Sequence, residues 1–375
     1  MLKNKIYKYL TVEIFKNFIT ILLTFSAIAW TVRAVNFLDL MIEDGFSASI
    51  YFKYSLLNIS SIITRFVPLS FLLSIIISIA RFERQQELLI LWTVGINKIK
   101  IANIFFLIGF FIALFQITLS LFLNPFTLNK SRALLRETET KQINSVLRSN
   151  DFSDTFKKVT FYIDKKNTNN ELINIFIKDN NGSLNTLIGE INKSNDTTIF
   201  AERGVLYENK LILFNGTIQT LNIKNEIKNI NFEKTELNTS NFSNRTIKDP
   251  KIQETSSIIL FKCLKNKFSK KCSFKNDKKV IIENLSRRIG MPLYIPLISV
   301  LASFLLIYKK EKKFNFLKKY TIFVSSFIIL IFAEILLKYT GFSSINFAIY
   351  FFTPLILLVI LYSILAKKLT SKKFY

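Results

Sequence analysis

Long apolar runs dominate the pattern along the chain. A helix needs about 20 mostly apolar residues to cross the ~30 Å hydrocarbon core of a bilayer, and six segments meet or approach that length. Because backbone polar groups find no water inside the bilayer, each of these segments is predicted to be helical. The predicted spans cover residues 15–40, 54–80, 101–126, 289–308, 320–337 and 345–365.

The stretch between the third and fourth spans follows a different pattern. Short runs alternate apolar and polar side chains, as from Val159 to Ile163, and turn formers such as Asn215 and Gly216 separate them. This spacing predicts an all-β domain and leaves a sandwich, a jelly roll and an open barrel as candidate folds. The predicted strands are 158–164, 172–178, 184–191, 197–201, 211–214, 218–223 and 227–232, with helices at 131–146 and 255–264 and a loop at 238–254.

The predicted organisation therefore has three parts. Residues 1–128 hold the first three spans, with a short cytoplasmic helix at 83–95 between the second and the third. Residues 129–284 form the β-domain, and residues 285–375 hold the last three spans. The predicted fold class is a membrane α-helical bundle of six helices with an inserted all-β, jelly-roll-like domain.

The charge distribution predicts the orientation. The formal net charge is +25, and basic residues cluster in 3–8, 81–100, 309–319 and 367–373, whereas 41–51 and 341–344 contain none. This is the positive-inside pattern, so both termini are expected in the cytoplasm and the β-domain outside, and the charge does not indicate nucleic-acid binding. An A-x-A-like cleavage site lies at Ala27 to Ala29, but the loop charges are consistent only if the first span is retained.

The sequence offers few groups for catalysis. It contains no His, which removes His-based triads, and no G-x-x-x-x-G-K-[ST] motif, so the chain is not itself a P-loop ATPase. We expect no catalytic residue, no metal site and no cofactor in this chain. Cys263 and Cys272 fall on the predicted outer side, where disulfides persist; they either pair with each other or are two separate thiols.

The loop between the second and third spans predicts a short helix over 83–94. Gly95 is a natural terminator after such a helix, and Asn97 is placed to cap the third span. An apolar stripe recurs at helical spacing and consists of Leu88, Leu91, Trp92 and Gly95. The stripe either packs on the chain's own bundle or the lipid interface, or docks on a cytoplasmic partner with Glu87 placed for a charged contact.

Three cations lie near the outer ends of three different spans. Arg33, Arg65 and Lys338 are predicted at one height, and a charge at membrane depth usually faces a cavity or a partner. Together they would make a basic ring suited to lipid phosphate groups, since Arg binds phosphate bidentately. The simpler interpretation is that the side chains snorkel to the headgroups. Glu334, four residues before Lys338, is placed to pair with it, which would weaken the ring.

The whole chain resembles the LptF/LptG (YjgP/YjgQ) permeases of the lipopolysaccharide exporter, and it is closer to LptF. The order of three spans, an outer β-domain and three spans is similar. The matching positions are Glu87-Leu88 with Gly95-Ile96, Pro68-Leu69, Asp44-Gly45, Phe200 to Gly204, Leu211 to Gln219, Arg288-Ile289 and Pro292-Leu293. The stretches at 200–204 and 211–219 look more like the F-type subunit.

The resemblance implies a set of partners. Such proteins pair with a homologous six-span permease, here LptG-like, over a dimeric LptB-like cytoplasmic ATPase that binds ATP and Mg. An LptC-like single-span protein starts the periplasmic bridge, and lipopolysaccharide enters a cavity between the two permeases. The helix carrying Glu87 would be the coupling helix. Arg33 and Lys338 match basic cavity positions of the family, whereas Arg65 has no clear counterpart there.

Two other functions fit the same composition. One is a subunit of a different ABC-type envelope lipid or lipoprotein exporter, although lipoprotein-releasing subunits use four spans with the outer domain after the first. The other is a membrane enzyme that acts on envelope lipids through carboxylates alone. Such an enzyme would be active when purified by itself without ATP, whereas a permease subunit would not.

Overall fold

The computed structural model describes residues 2–42, 46–139, 149–156, 159–167, 171–179, 196–207, 210–221, 227–238, 251–265, 278–307 and 312–370. The chain divides into two compact units. The helical unit comprises Met1–Val32, Asn58–Asn129 and Lys251–Tyr375, and the β unit comprises Arg33–Leu57 and Lys130–Pro250.

Six helical segments are long and apolar enough to cross a membrane, which confirms the predicted number of spans. Within the described residues they are Lys5–Ile42, Ala48–Arg84, Lys98–Arg136, Lys278–Leu306, Lys319–Tyr339 and Ser344–Thr370. The helices that form them are Leu2–Asn36, Asp39–Ile42, Ala48–Arg84, Lys98–Thr118, Asn124–Glu139, Lys278–Gly290, Tyr294–Ser303, Lys312–Tyr339 and Ser344–Thr370. A π-helical turn, Leu119–Leu123, interrupts the third span, and 3-10 turns at Met291–Leu293 and Phe304–Leu306 interrupt and end the fourth.

Prolines leave carbonyl groups without their helical partner, and side chains from other elements take their place. Proline has no N–H, so the carbonyl four residues earlier loses its intrahelical bond, which is costly inside a bilayer. Pro68 of the second span frees the carbonyl of Thr64, which accepts a hydrogen bond from Gln116 Nε2 of the third at 3.1 Å. Pro354 of the sixth span likewise frees the Tyr350 carbonyl.

At three further positions a side-chain hydroxyl replaces the backbone N–H that proline lacks as the hydrogen-bond donor. The Tyr350 carbonyl accepts from the Tyr294 hydroxyl of the fourth span at 3.1 Å. The Leu121 carbonyl, four residues before Pro125, accepts from Ser257 Oγ at 2.9 Å, and the Arg288 carbonyl, four before Pro292, accepts from Ser120 Oγ at 2.7 Å. Each of these bonds joins two different helical segments.

The β unit contains one antiparallel sheet in which six described strands lie in sequence order. They are β1 Asp151–Phe156, β2 Val159–Lys166, β3 Glu171–Asp179, β4 Asp196–Tyr207, β5 Lys210–Leu221 and β6 Ile227–Asn238. The prediction of a helical bundle with an inserted all-β domain is confirmed. The strand order is that of a meander, so the Greek-key order of a double-sheet jelly roll is not found among the described strands.

One predicted strand boundary is corrected, and one strand was missed. The segments predicted at 211–214 and 218–223 form one continuous strand, because Asn215 takes a left-handed conformation (φ 49°) inside β5 without ending it. Strand β1 was not predicted, because its sequence DFSDTF is polar. The predicted strand 184–191 lies outside the described residues.

Three neighbouring residues on β3, β4 and β5 interrupt the regular alternation of side chains in the sheet. Beyond them, residues that would point to one face of the sheet point to the other. Asn174 in β3 (φ 52°) and Asn215 in β5 both have positive φ, and the pairing on either side places Glu202 of β4 between them. Leu172 and Ile175 are both buried although they lie three positions apart, where a regular strand would point them to opposite faces. Residues on both sides of the interruption therefore belong to one buried cluster.

A short helix that precedes the fourth span belongs to the helical unit, which resumes at Lys251. This helix, Ser257–Lys265, is called the return helix below, and it packs against the first turns of the fourth span. The predicted domain boundary at residue 284 stays a prediction. Leu260 of this return helix shares a buried cluster with Ile281 and Leu285. The predicted helix 255–264 is thus found, and that of 131–146 is described only as far as Glu139, as the end of the helix that begins at Asn124.

Candidate functional site

The loop between the second and third spans forms a seven-residue helix, Glu87–Thr93, which we call the loop helix. The predicted single helix over 83–94 is corrected at its start. Glu83 and Arg84 belong to the last turn of the second-span helix, and Gln86 then adopts a left-handed conformation (φ 59°) that breaks the helix. The two helices therefore meet at a joint formed by Gln85 and Gln86.

The predicted end of the loop helix at Gly95 is confirmed. Gly95 has φ 81°, its N–H donates to the Trp92 carbonyl at 3.1 Å, and the Ile96 N–H donates to the Leu91 carbonyl at 3.1 Å. This pair of bonds is a Schellman motif, in which glycine supplies the left-handed residue at no steric cost. Asn97 does precede the third-span helix, but its side chain makes no capping hydrogen bond.

The apolar stripe of the loop helix faces the chain's own bundle. Leu88 and Leu91 are 6% and 9% exposed and belong to the main hydrophobic core, against which Trp92 also packs. Leu88 and Leu91 therefore pack on the chain's own bundle, and their contact with a cytoplasmic partner stays a prediction. The opposite face carries the accessible apolar groups, with Ile90 57% and Val94 68% exposed beside Leu89.

Glu87 stands at the edge of an apolar groove between the loop helix and the start of the first span. Its carboxylate accepts a hydrogen bond from the Tyr9 hydroxyl at 3.1 Å. The groove has a volume of about 370 Å³, and it is lined by Lys5, Ile6, Tyr9, Leu10, Glu87, Ile90, Leu91 and Val94. A single carboxylate beside a shallow apolar surface is a suitable contact for a basic and apolar protein segment.

Arg65 lines a second, smaller cavity within the helical unit, of about 90 Å³. Around it lie Pro68, Gln116, Arg287 and Glu334, among other residues of the second to fifth spans. The Gln116 amide nitrogen donates a hydrogen bond to the Thr64 carbonyl. The Gln116 Oε1 is buried and has no hydrogen-bond partner within the described part of the chain. Polar groups from several spans thus converge on one small space at the level of Pro68.

Glu334 forms an ion pair across helices. Its Oε2 lies 3.5 Å from the guanidinium of Arg287 in the fourth span, whereas the sequence suggested a pair with Lys338 on the same helix. Lys338 is exposed in the last turn of the fifth-span helix. Arg33 is half-buried in the last turn of the first-span helix and belongs to the other unit, so the predicted ring of Arg33, Arg65 and Lys338 stays a prediction.

Arg288 has a role that sequence reasoning missed. It is 5% exposed, and its guanidinium donates to Ser257 Oγ at 2.7 Å and to three backbone carbonyls. These are the carbonyls of Ile252 at 3.2 Å, Gln253 at 3.2 Å and Thr255 at 3.0 Å. A buried guanidinium is tolerated because its donors are satisfied in this way. The signal in the sequence was an Arg opening an apolar span, which indicates an anchor without identifying what it holds.

Cys263 is buried in the return helix. Cys272 lies outside the described residues, so the pairing of the two stays a prediction. Among the described residues no group of His, Cys, Asp and Glu is arranged to hold a metal ion.

The β unit carries an aromatic row on the face opposite its buried core. Phe152, Tyr162, Phe176 and Phe200 are successive cross-strand partners from β1 to β4. The ring centroids are 4.8 Å apart in the first pair and 5.1 Å in the last. The row lines a hollow of about 660 Å³, within the size range of ligand sites.

Among the strands that the structure describes, β1 and β6 lie at the two edges of the sheet. A sheet edge presents unpaired backbone groups to which another strand can add. On β6, Glu236 accepts a hydrogen bond from Lys210 of β5 at 3.1 Å, and this bond lowers the pKa of the Glu236 carboxyl below its ordinary value.

Six helices suited to cross a membrane, with an inserted antiparallel sheet and a short loop helix, define a multi-pass membrane protein. Residues 8–368 match the family described as lipopolysaccharide export system permease LptF/LptG, and the chain belongs to that family. It is also 23% identical over 199 residues to an uncharacterized protein of Rickettsia prowazekii (strain Madrid E), with 53% of this chain and 52% of that protein covered. The match thus spans about half the length of that relative.

Proposed function

We propose that this chain is a permease subunit of an ABC transporter. The complex extracts lipopolysaccharide from the inner membrane and passes it to a periplasmic bridge for outer-membrane assembly. The observation that carries the proposal is the family match over nearly the whole chain, together with an accessible carboxylate, Glu87, on a loop helix between two spans. The chain itself performs no chemistry; ATP and Mg bind to a separate dimeric ATPase.

The loop helix is the proposed contact for that ATPase. The side chains available to a partner are Glu87, Leu89, Ile90 and Val94, since Leu88 and Leu91 are used to hold the helix against the bundle. Basic residues cluster in the loops on this side of the membrane, which supports a cytoplasmic location for the loop helix and both termini. The β unit then lies in the periplasm.

Lipid binding is proposed for the outer half of the helical bundle. Arg33, Arg65 and Lys338 supply cations for lipid phosphate groups, in a cavity that a second, homologous six-span permease completes. The exposed apolar faces of the first, fifth and sixth spans support such a partner. The edges of the sheet at β1 and β6 are suited to strand addition by a single-span bridge protein.

The first test is affinity purification of the tagged chain in mild detergent, with Glu87→Lys and Ile90→Glu as variants. The wild type should recover a P-loop ATPase and a second six-span permease. Both variants should lose the ATPase while they keep the second permease, because a reversed charge or a buried carboxylate at the contact opposes docking.

Glu171→Lys is the matched control, because it reverses an exposed carboxylate at the start of β3, far along the chain from the loop helix. It should recover both partners. A wild-type chain that purifies alone and acts on envelope lipids without ATP would overturn the proposal in favour of a membrane enzyme. Recovery of an ATPase with no second six-span chain would indicate another class of exporter.

A further inference from the structure

Three polar contacts connect the loop helix and the turn before it to other spans. Arg81 forms an ion pair with Glu13 of the first span. Glu83 lies 2.7 Å from Lys319 Nζ of the fifth span, and Glu87 accepts the hydrogen bond from Tyr9 of the first span. The contacts thus run from a stretch of seven residues, 81–87, to two spans that are distant from each other in sequence.

These contacts do not explain why the helices assemble. Arg81, Lys319 and Glu83 are partly exposed, at 44%, 30% and 27%, and Glu13 is the least exposed at 12%. Ion pairs with partly exposed members contribute little to stability. The assembly is held instead by buried apolar residues such as Leu88, Leu91 and Phe82. What the polar contacts do supply is a fixed geometry between the loop segment and two particular spans.

The two spans concerned are among the least buried. In the most apolar window of the first span 17% of the residues are buried, and in that of the fifth span 22%, against 83% in the fourth. Spans with few internal contacts can move relative to the bundle at low cost, so a directional contact at their cytoplasmic-side ends has a large influence on where they sit.

We propose that the pairs Glu13–Arg81, Glu83–Lys319 and Tyr9–Glu87 are positioning contacts that transmit displacement of the loop helix to the first and fifth spans. The inference rests on the proposed function, because it assumes that a partner displaces the loop helix. Tyr9 acts on the loop helix directly, beyond the joint at Gln85 and Gln86, whereas Arg81 and Glu83 act on the last turn of the second span.

The test uses the complete complex in liposomes that contain lipopolysaccharide, and measures lipid released per ATP hydrolysed. Lys319→Glu and Arg81→Glu should each lower that ratio by about tenfold, a usual size for coupling between sites, while ATP hydrolysis stays within about twofold. The double reversals Glu83→Lys/Lys319→Glu and Glu13→Arg/Arg81→Glu should restore most of the ratio. Tyr9→Phe should lower it by a smaller factor, because it removes one hydrogen bond and no charge.

A second readout follows the spans themselves. Spin labels at Leu23→Cys in the first span and Ile328→Cys in the fifth occupy exposed positions, and their separation should change on addition of ATP in the wild type. The change should be lost in the single reversals and regained in the double ones. Lys262→Glu, an exposed cation of the return helix, is the control for charge reversal and should behave as wild type.

The outcomes separate the two ideas. If Glu87→Lys abolishes ATPase recruitment but the single reversals release lipid normally, the transmission contacts are wrong and the proposed function stands. If the double reversals assemble into the complex yet fail to restore release, the specific pairing is likewise wrong. If the wild-type complex shows no ATP-dependent release, the proposed function itself fails.

Discussion

The three central spans and the three peripheral spans are equally suited to a membrane but are packed very differently. In the most apolar windows of the second, third and fourth spans, 67%, 39% and 83% of the residues are buried, against 17%, 22% and 17% in the first, fifth and sixth. The third and sixth spans are nevertheless equal in mean hydropathy. Mean hydropathy therefore indicates that a helix lies in the membrane. Whether it packs against other helices of the chain depends on which side chains it carries.

The central spans carry most of the small and polar side chains that are buried in the described helices. Ser70, Ser74 and Ser78 repeat every four residues along one face of the second span, and all three are fully buried. Small residues allow helices to approach closely where no hydrophobic force drives them together. The sixth span instead turns large apolar groups outward, such as Phe352, Ile356 and Val359.

The largest effect is expected from Gly290→Val, which would break the central packing. A Cβ at Gly290 would lie 2.2 Å from Cε1 of Tyr350, so a larger side chain forces the fourth and sixth spans apart. Overpacking of this kind costs about 1–3 kcal/mol or more, and thermal unfolding in detergent should show a clearly lowered midpoint. The double variant Gly290→Val/Tyr350→Leu has room for the valine and should recover part of the lost stability. If Gly290→Val alone unfolds at the wild-type temperature, the described packing is contradicted.

A smaller effect is expected from Gln116→Leu, which leaves the Thr64 carbonyl without a donor. The expected cost is about 1 kcal/mol, since hydrogen bonds between membrane helices are worth about 0.6 to 2 kcal/mol. Pro68→Ala supplies the missing N–H and is the matched background, because there Gln116→Leu should cost much less. The same loss in both backgrounds would show that Gln116 does not serve the carbonyl freed by Pro68.

The smallest effect is expected from Val359→Ala, which tests whether the sixth span is as loosely packed as its exposed residues indicate. Val359 is exposed, so the free energy of unfolding of the isolated chain should change by no more than about 0.5 kcal/mol. If a second permease covers this face, the variant should dissociate more readily from the complex when titrated with detergent. A large drop in the stability of the isolated chain would mean that the sixth span is packed more tightly than described.

The sequence allowed the number of spans and the end of the loop helix to be predicted, because both depend on local chemistry. Length and apolarity are sufficient for a span, and Gly95 is sufficient for a left-handed stop. The orientation of Leu88 and Leu91 was not predictable in this way. A stripe at helical spacing shows that one face is apolar, and only the packing of the whole bundle decides that the chain itself covers it.

The remaining differences have the same origin. Asn215 and Gly216 look like a turn, but the pairing of β5 with both neighbours continues through them, so long-range contacts overrule the local preference. Three of the four hydrogen-bond partners given above for Arg288 are backbone carbonyls more than 30 positions away, which carry no side-chain signature. The lipid-binding cations remain predictions because the sequence places each on its own helix and cannot align the helices with one another.

The proline positions have one more consequence. A proline kink is ordinarily a hinge, yet each freed carbonyl described here is held by a donor on another element, so the kink cannot flex unless that element moves with it. The second span is held in this way to the third at Thr64, the third to the return helix and the fourth, and the fourth to the sixth at Tyr350. These four bonds therefore join the second, third, fourth and sixth spans to one another, and none of the four reaches the first or the fifth span.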